Sequence, residues 1–207
     1  MIKEVFFIRH SKPGKCCPLY KWFSLQKQNE KKRLTNEGKL LAEKAFQNEM
    51  FKNIEEIYSS NYLRTYQTAK ILSRKYGIKV KVNKNFGERK IGIKEWNEYP
   101  SDFEIHQFKD NNYKLPNGES LHEVRKRELN ALNNILKNSN AKCIAIISHS
   151  TAMMTLFSKW CETSYDSDYY FNGKKFFDGK WNYCETFKLT FDDDKFCLLY
   201  TSDAADE

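Results

Sequence analysis

Two kinds of apolar pattern take turns along this chain. Continuous apolar runs bounded by turn signals, clearest at 5–8 (VFFI) and 143–147 (CIAII), predict strands buried on both faces, as in a parallel sheet. Weaker strands are expected at 54–60 (IEEIYSS) and at 78–82 (IKVKV), the second alternating like an edge strand, with a last one at 185–191 (ETFKLTF). Between them lie helical periodicities. Segment 34–51 starts with Thr35 as N-cap and places Leu41, Ala45 and Phe46 on one stripe. Segment 61–77 takes Ser60 as its cap, sets Tyr62, Tyr66, Ala69 and Leu72 inward, and stops at Gly77. Segment 120–138 opens with the capping box Ser120-x-x-Glu123 and buries Leu121, Val124, Leu132, Ile135 and Leu136, and a further helix is expected at 151–161. This alternation, with no repeat and no long linker, predicts an α/β fold: a three-layer αβα sandwich around a mainly parallel central sheet. Residues 86–119 and 163–183 are turn-rich and aromatic, and are expected to form long loops or lids.

Composition narrows the class. At 207 residues the chain suits one domain, and 40% hydrophobic with 15% aromatic residues argues against disorder. Its longest apolar run is far short of a membrane span, and charges flank the short apolar stretch at the N-terminus, so no signal peptide, no membrane partner and a cytoplasmic location are expected. The six cysteines show no C-x-x-C spacing and read as thiols in a reducing compartment. The formal charge of +8 raises nucleic acid as a partner, but the lysines are spread along the chain apart from a cluster at 27–33. The expectation is no nucleic-acid partner, and a basic face that attracts small anions.

Residues 197–207 (CLLYTSDAADE) resemble the translation of a sequencing adapter, and are set aside as a non-native tail. The expected domain is therefore 1–196; without Asp203, Asp206 and Glu207 the formal charge rises from +8 to +11.

In an open parallel sheet the ligand crevice lies beyond the carboxyl ends of the strands. Here Arg9 and His10 follow VFFI, His149 follows CIAIIS, and Arg64 lies one turn into the helix after IEEIYSS. Two imidazoles and two guanidiniums at one sheet edge, beside helix N-termini, make a site for a dianion, since arginine forks match phosphate oxygens. His106 and His122 lie in polar surroundings and are expected to be structural or exposed.

This constellation resembles the histidine phosphatase superfamily, the phosphoglycerate-mutase-like proteins whose signature is Arg-His-Gly near the N-terminus. Seven segments carry the likeness in the family's order: FIRHSKP, LTNEGKLLA, IYSSNYLRTYQTA, FGERKIG, PNGESLHEVRKR, IISHS and GKWNYCETFKLTF. The resemblance implies that His10 is a nucleophile forming a phosphohistidine, and that Arg9, Arg64 and His149 hold the phosphoryl oxygens. It makes Glu88 the general acid and base. Ser11, Ser150 and Asn61 are implied substrate contacts, and Ser59, Glu119 and Ser120 either touch substrate or brace the arginines. Ser11 stands where the signature has Gly, and Ser150 where a Gly often follows the second His, so the backbone conformation there matters.

The activity so implied is a metal-independent phosphomonoesterase hydrolysing small phosphorylated metabolites, with no cofactor and no metal ligand set. A phosphoglycerate mutase is the alternative, although cofactor-dependent mutases usually carry a longer segment than the 88–149 interval. A non-catalytic phosphate-binding module is the other alternative; the intact set Arg9, His10, Arg64, Glu88 and His149 speaks against it.

Overall fold

The computed structural model describes residues 1–165, 167–193 and 195–201, the last four by backbone alone. In chain order the elements are β1 (Ile2–Arg9), α1 (Leu25–Glu30), α2 (Asn36–Ala45), β2 (Glu56–Ser59), α3 (Leu63–Tyr76), β3 (Val80–Val82), α4 (Phe103–Lys109), α5 (Leu121–Asn138), β4 (Cys143–Ser148), α6 (Ser150–Phe157), β5 (Tyr169–Phe171), β6 (Lys174–Phe177), β7 (Thr186–Asp192) and β8 (Lys195–Thr201). One sheet has the order β3-β2-β4-β1-β7-β8, in which β3, β2, β4 and β1 run parallel, β7 pairs antiparallel with β1, and β8 pairs antiparallel with β7.

The continuous apolar runs become the adjacent central strands because both faces of the sheet are covered. Val5, Phe7, Ile144 and Ile146 pack under α5 and α6, in a core with Leu132, Ile135, Met153 and Phe157. Phe6, Ile8, Ala145 and Ile147 face the other way, against Ala42 and Phe46 near α2 and Ala69 and Leu72 of α3. Each strand thus sends alternate side chains into a different core, which makes the three layers of the sandwich.

Most expected helix caps form; the exception is α3, whose N-cap is Tyr62 with no side-chain capping bond and not the expected Ser60. Thr35 accepts from the Gly38 amide (2.9 Å), Ser120 and Glu123 form the reciprocal capping box, and Gly77 ends α3 with φ +71°. Some expected stripes are rotated: Ala42 and Phe46 are buried while Leu41 is exposed, and Tyr66 of α3 is exposed where Thr65 and Thr68 are buried. The helices expected at 34–51 and 151–161 end at Ala45 and Phe157, their last turns loosening into short turns and bends.

The segments expected to be long loops contain structure of their own. Segment 86–119 holds α4, and 163–183 holds the β5–β6 hairpin, turned by Asn172 (φ 50°) and Gly173 (φ 74°). These are the two left-handed residues of a tight hairpin turn. Residues 197–201 of the segment set aside as a tail lie in β8, which pairs with β7. That pairing bears on the backbone and not on the segment's origin; residues 202–207 lie outside the described residues. No helix among the described residues is long and apolar enough to cross a membrane.

Candidate active site

The parallel register of β1 and β4 places Arg9 opposite Ser148, so the residues that follow, His10 and His149, leave the sheet side by side. The His10 amide donates to the Ser148 carbonyl (3.0 Å), and the two imidazole centroids are 5.1 Å apart. Both rings are buried. β2 ends next to them, and its Ser60 and the first turn of α3 bring Arg64 between the two histidines.

Arg64 is a three-way fork. Its Nε donates to His10 Nε2 (3.0 Å), its Nη2 lies 3.1 Å from His149 Nδ1, and its Nη1 donates to the Asn29 carbonyl (2.8 Å). A guanidinium has donors only, so both contacted imidazole nitrogens carry lone pairs. The remaining ring nitrogens are then the protonated ones: His10 Nδ1 donates to the Ser11 carbonyl (2.8 Å), and His149 Nε2 to Ser60 Oγ (2.9 Å). Ser60 Oγ is fixed in turn by Thr65 Oγ1 (2.7 Å), which donates to the Tyr62 carbonyl (2.7 Å). The hydrogen bonds assign two neutral histidines of opposite tautomer. The electrostatics agree: burial, then the Arg64 charge, hold both imidazoles well below their ordinary pKa, with Arg9 acting in the same direction.

Arg9 is held from the opposite side. Its Nη1 donates to the Trp181 carbonyl and its guanidinium lies 4.9 Å from the centre of the Tyr183 ring. Its Nε–H is buried and has no hydrogen-bond partner among the described residues. Burial lowers the pKa of Arg9 and of Arg64, and the Glu88 charge opposes that in both.

Glu88 reaches this edge through an unforeseen device. His149 is the N-cap of α6 and its side chain makes no capping bond. Glu88 supplies the missing acceptor: its Oε1 takes the Ala152 amide (3.1 Å) together with the Arg89 amide (2.9 Å). The loop bearing Glu88 is tied down by Arg127, which donates to the Asn85 carbonyl (2.6 Å) and clasps the Glu119 carboxylate (2.9 and 3.0 Å).

The structure therefore brings together Arg9, His10, Arg64, Glu88 and His149. Others stand aside. Ser11 is buried with its hydroxyl donating to the Gly38 carbonyl (2.6 Å) and its amide donating to Thr68 Oγ1 (3.1 Å), so both polar groups hold the scaffold. Neither Ser11 nor Ser150 is among the residues with positive φ, so a side chain is accommodated at both. Ser150 is the first residue of α6, half-buried, and Asn61 is exposed beside Gly87. Ser59 bonds the Ser60 carbonyl, Glu119 braces Arg127, and Ser120 caps α5. His106 pairs with Asp102 on α4, and His122 is exposed. Asn29, Thr65, Trp181 and Tyr183, which position the arginines and His149, carry no mark in the sequence that distinguishes them from ordinary polar and aromatic residues.

With this geometry in place, comparison with known proteins is decisive for the class. Residues 5–203 match the sequence model of the histidine phosphatase superfamily (branch 1), and the chain belongs to that family. No curated protein matches it by sequence. Among solved structures, a mycobacterial glucosyl-3-phosphoglycerate phosphatase superposes with TM-score 0.68 at 13% identity, over 98% of this chain and 98% of that chain. Bacillus stearothermophilus YhfR gives TM-score 0.69 at 18% identity, over 95% of both chains. A mutant phosphoserine phosphatase from Entamoeba histolytica, in complex with phosphoserine, gives 0.68 at 17% identity, over 98% of both. At these identities the likeness establishes a shared fold.

Proposed function

We propose that the protein is a metal-independent phosphomonoesterase working through a phosphohistidine at His10. The observation that carries this reading is the lone pair on His10 Nε2, held at the carboxyl edge of the sheet between two arginines. In the first step that lone pair attacks phosphorus while the ester P–O bond breaks. As the lone pair is consumed, the Arg64 Nε–H is released from it and turns to a phosphoryl oxygen. The orphan Nε–H of Arg9 has the same use, and the positive charge gained by the ring is supported by the Nδ1–H donated to the Ser11 carbonyl.

Glu88 gives its proton to the departing oxygen. Its Oε1 is engaged by two amides, which leaves Oε2 for proton transfer. In the second step Oε2 takes a proton from water, the water oxygen bonds to phosphorus, and the P–N bond breaks to return the lone pair to His10. Beyond the nucleophile and the acid–base group, the metal-free route requires positioning and charge, to which the fork of Arg64 contributes. Two proteins of the same fold are a glucosyl-3-phosphoglycerate phosphatase and a phosphoserine phosphatase, which supports the class of reaction.

The test is hydrolysis of p-nitrophenyl phosphate and a panel of metabolite phosphates, 3-phosphoglycerate included, in EDTA. Wild type is expected to release phosphate and to form an acid-labile phosphoenzyme; His10→Ala is expected to do neither while keeping its circular dichroism. Full activity in the variant would sink the mechanism. Interconversion of phosphoglycerates without phosphate release would replace hydrolysis with a mutase, and binding of phosphate without turnover of any ester would leave a binding module.

A further inference from the structure

We infer that the leaving group of the physiological ester is an apolar body of aromatic size that carries a second negative charge, and that it occupies the cavity between α1 and segment 89–96. This rests on the phosphomonoesterase reading and specifies its substrate class.

The cavity measures about 400 Å³, within the range of small-molecule sites. It adjoins the reacting groups on two sides. From α1, Asn29 lines it and also accepts from Arg64, while Gln26, one turn earlier on the same face, lines it and donates to the Tyr62 hydroxyl (2.7 Å). The Tyr62 ring packs on His149 at 4.6 Å. The opposite wall starts at Arg89, whose amide donates to Glu88 Oε1. An ester whose phosphoryl group sits between the histidines and whose leaving oxygen meets Glu88 has this cavity beside it.

Its lining is apolar with cations at the edge. Leu25, Ile91 and Ile93 are only half-buried around it and Trp96 is 61% exposed, so four large apolar side chains converge on solvent unless a ligand covers them. Lys90 and Lys94 also line it, and among the described residues neither ammonium group forms an ion pair. Of the nearby carboxylates, Glu119 takes the Lys90 amide and clasps Arg127, Glu98 takes the Lys94 amide (3.0 Å), and Glu30 accepts from Gln26 (2.8 Å). Among the described residues, no carboxylate lines the cavity.

A second cavity, about 280 Å³, borders Ser150 and Thr151 at the start of α6 and Trp181. Its wall includes the Glu104 carboxylate, already paired with Arg89 (2.7 and 2.8 Å), beside tyrosine and serine hydroxyls, and among the described residues no lysine or arginine lines it to receive an additional anion. The α1-side cavity is also built firmly. Gly92 adopts φ +93°, and a Cβ there would fall against the Gly118 nitrogen, so any side chain would collide; the Glu119 amide donates to the Lys90 carbonyl (2.8 Å). The wall bearing Ile91, Ile93 and the lysines is therefore pinned before substrate arrives.

The test compares kcat/KM for 6-carboxy-2-naphthyl phosphate, 2-naphthyl phosphate and glycerol 2-phosphate in wild type, Trp96→Ala and Lys94→Glu. The expected order in wild type is carboxynaphthyl, naphthyl, glycerol, each step about tenfold. Trp96→Ala is expected to shrink the naphthyl-to-glycerol ratio about fivefold or more, and Lys94→Glu the carboxynaphthyl-to-naphthyl ratio by a similar factor. A parallel arm measures binding of 6-carboxy-2-naphthyl phosphate to His10→Ala by calorimetry, with no turnover required. Hydrolysis of all three esters at equal kcat/KM, or ratios unmoved by both substitutions, overturns the cavity assignment and leaves the phosphatase standing. Tight, Lys94-dependent binding to His10→Ala with no hydrolysis by wild type would do the reverse.

Discussion

Glu128 is the strongest single handle on the stability of this fold. It sits on the buried stripe of α5 with Leu121, Val124, Leu132 and Ile135, its exposure is 0%, and neither carboxyl oxygen has a hydrogen-bond partner among the described residues. Burial drives its pKa well above the usual carboxyl range; Arg127 opposes this, and the charges of Glu88 and Glu119 add to it. The folded state therefore holds this proton at pH values where the unfolded chain has lost it. Its contribution to stability is whole below the unfolded pKa of about 4.3, and is lost as pH rises through the folded pKa, by about 1.4 kcal/mol for each pH step of one between the two.

Glu128→Met keeps the length and flexibility of the side chain and removes both the unpaired oxygens and the titration. An unsatisfied buried polar group costs about 1–3 kcal/mol, so the variant is expected to be more stable by about that much at pH 5 and by more at pH 8. In a chain of this size about 1 kcal/mol moves Tm by about 2–4 °C. Urea unfolding followed by tryptophan fluorescence at the two pH values measures the difference. His10 and His149, whose lowered pKa values make stability fall as pH drops below about 6.5, are present in both proteins and cancel. A Met variant no more stable than wild type at pH 8, or a gain identical at both pH values, would refute the reading that Glu128 is an uncompensated buried acid.

Three further outcomes follow from the site. Arg64→Lys cannot reach His10, His149 and Asn29 at once, and steady-state kinetics on p-nitrophenyl phosphate should show kcat/KM down by about 10²–10³-fold; a loss under tenfold would mean that the fork geometry is dispensable. Ser60→Ala orphans the buried His149 Nε2–H, so thermal melts should show destabilisation of about 1–3 kcal/mol with a parallel fall in kcat/KM, and an unchanged melt would argue for another partner. Gly38→Ala drives a methyl into the Lys12 carbonyl oxygen, against which α2 is packed. Overpacking there should cost about 1–3 kcal/mol in urea unfolding and disturb the Ser11 segment that orients His10; a neutral result would mean that the loop yields freely.

The layers and the sheet were legible in the sequence because strands buried on both faces must be uniformly apolar, and VFFI and CIAII are. Caps at Thr35, Ser120 and Gly77 were legible because each satisfies a local backbone need that does not depend on the rest of the chain. The β5–β6 hairpin carried a readable signal as well, Asn172-Gly173 between aromatic runs, but the density of turn residues around it favours a loop when judged by composition alone. Arg9, His10, Arg64 and His149 could be placed at one edge because strand order and the position of a residue after a strand follow from the α/β pattern.

What the tertiary structure alone decided is how those groups are held. Which nitrogen of each histidine bears the proton depends on Arg64, Ser60 and the Ser11 carbonyl, contacts that reach across as many as 89 positions of the chain. That Glu88 caps a helix 64 positions away, that Ser11 faces Gly38 instead of the site, and that Glu128 is buried without a partner are likewise properties of packing. Local sequence fixes the period of a helix or strand; the direction and partner of a polar side chain are settled only when distant segments close around it, because its hydrogen bonds must then be made with whatever the fold has brought there.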